Sequence, residues 1–180
     1  MNTLKMSEGF AIWVTGLPAS GKTVLAEAIK KRLYEWYEIK IVHLESDRLR
    51  NILTPEPTYS VKERDWFYGV MVYFGRMLTS NGINVIFDAT GNRKVHRSDA
   101  RSSIVKFMEV YVRCPLGTCM KRDPKGIYKM AQTGMATTVP GIQNEYEEPE
   151  SPELIIDSDK ISPDSGAEHV IAKMKEKGWV

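Results

Sequence analysis

Gly16, Gly21, Lys22 and Thr23 stand at the spacing G-x-x-x-x-G-K-[ST] within GLPASGKT. Residues of these types at this spacing hold nucleotide phosphates. The glycines permit a backbone path that turns several N–H groups inward onto phosphate oxygens. A helix starting at Lys22 adds its positive N-terminal end. Lys22 is placed to neutralise the β- and γ-phosphates, and the Thr23 hydroxyl to hold Mg²⁺. The whole loop, Gly16, Leu17, Pro18, Ala19, Ser20, Gly21, Lys22 and Thr23, is expected to wrap the phosphates. ATP is thus the expected co-substrate and Mg²⁺ the expected metal.

A phosphate loop does not name a reaction. The run VIFDAT carries one acid, Asp88, where a motor-type ATPase has an acidic pair, and no N-K-x-D guanine-reading motif occurs. A small-molecule kinase is therefore favoured over a GTPase or mechanical ATPase. Kinases need a group that orients or deprotonates the acceptor hydroxyl. Asp47, in HLESDRLR, is the candidate, with Glu45 assisting through metal-bound water. Arg50, with Arg64 from SVKERD, could clamp an anionic acceptor. Asp88 either joins Thr23 around Mg²⁺ or caps the next turn. His96 reads as a polar helix residue and His43 as a strand-edge side chain. In KRDPKGIYKMAQTG, Lys121, Arg122, Lys125 and Lys129 suit a lid that meets phosphates on closing, with Gly126 and Gly134 as hinges. The acidic NEYEEPESPE that follows reads as solvent-facing.

These groups must be positioned by elements that alternate along the chain. Apolar runs at 10–15, 39–44, 83–88, 107–112 and 153–157 read as strands. Helices are expected from Lys22, with Leu25, Ile29 and Leu33 on one face, and beyond the loop TPEPTY. In the second of these, Phe67, Val70, Met71, Phe74, Met77 and Leu78 form the expected core stripe. KVHRSDARSSIVK, PLGTCMKRD and AEHVIAKMKEK supply further helices. Strands alternating with helices imply a three-layer α/β/α fold, the P-loop NTPase class, with a mainly parallel five-stranded sheet and a lid at about 122–146. Residues 1–180 read as a single kinase domain with a short tail at 1–9. Ligands in such sheets bind beyond the carboxyl ends of the strands.

Composition sets the outer limits. Of 180 residues, 42% are hydrophobic and 27% charged, and 25 basic residues against 23 acidic leave a net charge of +2. That balance argues against nucleic acid as partner, and no apolar run reaches membrane-span length. Cys114 and Cys119 form no disulfide framework and no complete zinc site, so reduced thiols in a cytoplasmic enzyme are expected.

The segments EVYVRCPLGTCMKRDPKGIYKMAQTG and GIQNEYEEPESPEL, with the phosphate loop, resemble adenylylsulfate kinase over about Phe10–Asp157. That resemblance implies transfer of the ATP γ-phosphoryl to the 3′-hydroxyl of adenosine 5′-phosphosulfate, and a homodimer. It places Asp47, Arg50, Tyr59, Arg64 and Lys125 on the acceptor, with Tyr59 as a stacking ring, while Arg122 of the lid is expected on the phosphates. Phe67, Thr90, Gly91 and Val139 are expected on the same acceptor wall. This chain departs from the family pattern at Glu45 and Ser46, at Phe67 and Gly69 where an Asn and an Arg are usual, at Gly91 in place of serine, and at Val139 in place of an aromatic residue. Those departures leave two alternatives: a related kinase for another nucleotide, such as cytidine diphosphoramidate, or a nucleotide-binding regulatory module.

Overall fold

The run FAIWVT alternates its side chains across a strand, and both faces are apolar, so it can only sit in the middle of a covered sheet. The computed structural model describes residues 8–180 and places it there. Strand β1 (Phe10–Thr15) lies at the centre of a five-stranded sheet in the order β2-β3-β1-β4-β5. The others are β2 (Ile41–Glu45), β3 (Asn84–Asp88), β4 (Lys106–Arg113) and β5 (Leu154–Asp157). Every pairing is parallel. The register sets Val14 opposite Asp88, Glu45 opposite Asp88 and Arg113 opposite Asp157, so the strand ends make one edge.

Two helical layers cover the sheet. On one face, Phe10, Ile12 and Val14 meet α1 (Lys22–Tyr37) and α7 (Pro163–Glu176) through Leu25, Ile29, Leu33, Val170 and Met174. On the other, Ala11 and Trp13 meet α3 (Val61–Ser80) and α4 (Lys94–Ser103) through Phe67, Met71 and Ala100. Gly75 lets α3 come close, since a Cβ there would lie 2.0 Å from the Phe87 ring. Two short helices, α2 (Ser46–Leu53) and α5 (Leu116–Arg122), leave the carboxyl edge of β2 and β4.

Several expectations are corrected. The buried stripe of α3 is Phe67, Tyr68, Met71, Val72, Gly75 and Thr79, while Met77 is 43% exposed. The helix starts on a cap: the Ser60 hydroxyl accepts from the Glu63 amide at 3.3 Å, and the Glu63 carboxylate reaches back to the Thr58 and Tyr59 amides. This reciprocal cap fixes where the helix begins, and packing on Ala11, Trp13 and Phe87 decides which residues face inward. The segment after α5 contains a further helix, α6 (Ile127–Gln132), anchored by buried Tyr128, whose hydroxyl donates to the Pro18 carbonyl at 3.0 Å. The acidic run is not simply solvent-facing. Glu147 accepts from the Lys94 amide at 2.6 Å, Glu153 pairs with Arg101, and the Tyr146 hydroxyl lies 2.9 Å from that of Thr15. His96 stands on α4 as expected, and is 5% exposed, hydrogen-bonded to Asp65 at 2.8 Å and packed on Tyr68.

Cys114 and Cys119 are free and buried. Of the tail expected at 1–9, residues 1–7 lie outside the described residues, and Gly9 is buried with its amide donating to Thr79. Among the described residues, no helix is long and apolar enough to cross a membrane.

Candidate active site

The loop between β1 and α1 curls over the carboxyl edge of the sheet because Gly21, at φ 101°, caps α1 in a left-handed conformation. It opens into a cavity of about 800 Å³. Pro18, Ala19, Gly21, Lys22 and Thr23 line one end of it, with Arg122 above them. Gly16, Leu17 and Ser20 lie behind this wall. Leu17 accepts the Lys22 ammonium on its carbonyl at 2.8 Å, and Ser20 accepts the Ser158 hydroxyl at 2.6 Å. Burial lowers the Lys22 pKa, against the opposing charges of Asp88 and Asp47.

Asp88 reaches the same end from β3. Burial pushes its carboxyl up, but the His43 ring, the Thr23 hydroxyl and the Lys22 ammonium outweigh burial and hold it below the usual carboxylate range. His43 Nε2 lies 3.4 Å from Asp88 Oδ2, and Nδ1 lies 2.9 Å from Glu27. Asp88 Oδ2 is buried without a hydrogen-bond partner. The β2 end is thus no bare edge, because His43 spans from helix α1 to the cavity.

Asp47, Arg50, Tyr59, Arg64, Thr90, Lys125 and Val139 also stand on the cavity wall. Asp47, in the first turn of α2, forms an ion pair with Lys125 across the crevice. Burial pulls the Lys125 pKa down, yet Asp47, Glu45 and Asp88 together raise it. Arg64 is committed to main chain, donating to Tyr59 O at 3.0 Å and to Thr138 O at 2.7 Å. Tyr59 itself holds a left-handed φ of 52°, a strained conformation for a tyrosine.

Two expected wall residues are elsewhere. Phe67 is fully buried and lies under Arg50 rather than on the cavity. Gly91 is buried too: its amide donates to the Tyr68 hydroxyl at 3.0 Å and its carbonyl accepts from Arg97. Its φ of +48°, with Trp13 only 2.8 Å from where a Cβ would stand, leaves room for glycine alone. Tyr68 lines the cavity in their stead. Also unforeseen are Ser158, Ile161, Ser162 and Pro163, which close the cavity beyond Arg122. Arg122 donates to Ser158 O at 2.8 Å and ties the two loops together. Their place just past the end of β5 was the available signal, because ligands gather at strand ends.

A cavity running from a phosphate loop to an arginine-lined pocket fits a nucleotide-dependent transferase, and comparison with known proteins gives the family. The sequence model described as Adenylylsulphate kinase matches residues 8–157. The chain belongs to the adenylylsulfate kinase family. It is 41% identical to the probable adenylyl-sulfate kinase of Pyrococcus abyssi over 174 residues, 96% of this chain and 99% of that one. It is 43% identical to the probable adenylyl-sulfate kinase of Archaeoglobus fulgidus over 151 residues, 84% of this chain and 97% of that one. The structure of Mycobacterium tuberculosis APS kinase in complex with AMPPNP and APS superposes with a TM-score of 0.87 at 31% identity, covering 93% of this chain and 98% of that one. The adenylylsulfate kinase family consists of phosphotransferases with an alcohol acceptor, and this chain carries that fold with a five-stranded all-parallel sheet.

Proposed function

We propose that this chain transfers the γ-phosphoryl group of ATP to the 3′-hydroxyl of adenosine 5′-phosphosulfate, giving 3′-phosphoadenylylsulfate and ADP. The observation that carries this reading is one continuous cavity joining Lys22 and Thr23 to Asp47, Arg50, Tyr59 and Arg64. A structural neighbour holds AMPPNP and APS together in the same fold.

In this reading the acceptor oxygen bonds to the γ-phosphorus as the bond from phosphorus to the ADP oxygen breaks. Asp47 accepts the hydroxyl hydrogen bond and takes the proton as transfer completes. Lys22, Arg122 and the backbone amides of the loop meet the charge that spreads over the phosphoryl oxygens. Arg50 and Lys125 hold the anionic end of the acceptor, and the Tyr59 ring covers its base. Positioning supplies most of the catalysis, since little covalent chemistry falls to the protein.

The residues present suit Mg²⁺. Asp88 keeps an ionised carboxylate whose buried Oδ2 makes no hydrogen bond, its neighbour there being His43 Nε2 at 3.4 Å, and Thr23 shares its wall. Among the described residues no cluster of three His, Cys, Asp or Glu could cage a metal alone, so the ion would be held by Thr23 and Asp88 together with phosphates. When bound it would neutralise charge on the β- and γ-phosphates.

A coupled ADP-release assay with Mg²⁺ and ATP tests the reading, with adenosine 5′-phosphosulfate set beside a panel that includes cytidine diphosphoramidate. Efficient turnover with the phosphosulfate at micromolar KM is expected. A panel member used far better would reassign the acceptor, and turnover of none would leave a nucleotide-binding module.

A further inference from the structure

Arg50 is a buried guanidinium with too few partners. It is 6% exposed, and its one charged contact is Glu63, at 3.2 Å from Nη1. Glu63 is already shared, accepting from the Thr58 amide and hydroxyl at 2.6 Å each and from the Tyr59 amide at 3.2 Å. Arg50 Nη2 is buried with no hydrogen-bond partner. A buried charge left this bare is costly unless something else compensates it.

Aromatic rings surround it instead. The guanidinium carbon lies 3.9 Å from the centroid of Phe67, 5.0 Å from Tyr59 and 5.9 Å from Tyr68. Phe67 is the nearest and is itself fully buried, wedged edge-on against Tyr68 with centroids 5.4 Å apart. The planar, weakly hydrated guanidinium suits such a ring face. Tyr59 is 38% exposed and sits on an irregular loop, whereas Phe67 stands inside a 20-residue helix, so the rigid support is Phe67.

We propose that Phe67 is a positioning residue for the acceptor: its ring face holds the Arg50 guanidinium flat at the cavity wall, in the orientation from which it meets an anionic oxygen of the acceptor nucleotide. Phe67 never touches that nucleotide, and its effect passes through Arg50. The role rests on the kinase reading above for the identity of the acceptor, but not for the stacking itself. It also gives a use to an aromatic side chain at a position where the sequence suggested direct acceptor contact.

The test is graded. Phe67→Leu removes the π face at similar volume, and replacing Phe67 by mono-, di- and trifluorophenylalanine weakens the face while keeping the ring. Leucine should raise the acceptor KM by about fivefold to thirtyfold, the span expected for losing a desolvated cation–π contact. The fluorinated series should raise it stepwise, with the ATP KM and the kcat at saturating acceptor held within about twofold. A flat fluorinated series, or an ATP KM that climbs in parallel, overturns the proposal. The Arg50 Nε–Hε resonance gives a readout without turnover: the ring current should displace it in the wild type and release it in Phe67→Leu. If the wild type does not bind adenosine 5′-phosphosulfate, the functional reading falls separately. Sulfate ion, followed at the same resonance, then decides the matter: binding weakened by fluorination upholds the role of Phe67, and binding unchanged by fluorination overturns it.

Discussion

Asp47 carries the proposed chemistry while 58% of its side chain is exposed, so its environment comes from its partner rather than from burial. Lys125 supplies that partner from the segment between α5 and α6, and the acceptor hydroxyl must compete with it for the same carboxylate. Asp47→Asn keeps the shape and loses the proton acceptor. It should lower kcat by roughly 10²–10⁴-fold with ATP affinity nearly unchanged, as measured by steady-state kinetics and nucleotide titration. A wild-type kcat would remove Asp47 from the mechanism. Lys22→Ala should abolish turnover while the fold stays intact by circular dichroism, since its ammonium is the charge nearest the phosphate cradle. At this scale the motif residues were legible: Lys22, Thr23, Asp47 and Arg50 all reach one cavity. What spacing could not show was the rotation of α3. Phe67 and Tyr68 are neighbours in sequence, and a helix turns them about 100° apart. Which of them meets the cavity depends on how α3 packs on the sheet and on the Arg50 guanidinium that covers Phe67.

Elements were legible where periodicity was long. The unbroken apolar run of β1 feeds both layers of core, and the i, i+4, i+8 stripe of Leu25, Ile29 and Leu33 feeds one. Helix α6 was not legible, because six residues bury only Tyr128 and Ala131, too few to show a period. Expected bounds also shifted. α7 begins at Pro163, where Ser162 caps it, ahead of the apolar run, and α4 ends at Ser103. Gly75 offers a test at this scale. Alanine would improve helix propensity by about 1 kcal/mol. Yet its Cβ would lie 2.0 Å from a Phe87 ring that is fully buried and stacked on Trp13, so the ring has no free direction to yield. Overpacking of about 1–3 kcal/mol should win. Gly75→Ala is expected to lower Tm by up to roughly 8 °C in a thermal scan, and a rise in Tm would mean that α3 can shift outward.

Taken as a whole molecule, the protein should be most stable near pH 6.5, because two histidines pull in opposite directions. The Asp88 carboxylate, 3.4 Å away, and the contact with Glu27 raise the His43 pKa against burial. Its folded value lies above the unfolded one of about 6.5, so its stabilisation is complete below that pH and is lost as pH climbs through the folded value. Burial lowers the His96 pKa against the pull of Asp65. There the neutral ring is favoured, and stability falls as pH drops from about 6.5 towards the folded value. Each slope is at most about 1.4 kcal/mol per pH unit. His43→Asn should flatten the alkaline limb of a Tm–pH profile and His96→Asn the acid limb; a variant that merely lowers the whole curve would deny that histidine its titrating role. The strand order bears on a different moment in the life of the chain. β1 is the first of the described strands to leave a ribosome, yet both of its pairing partners, β3 and β4, come later. At about 5–20 residues per second, FAIWVT waits several seconds with neither edge satisfied and both apolar faces open to water. The part of the sheet that is best hidden in the finished protein is thus the part most in need of a chaperone while the protein is being made.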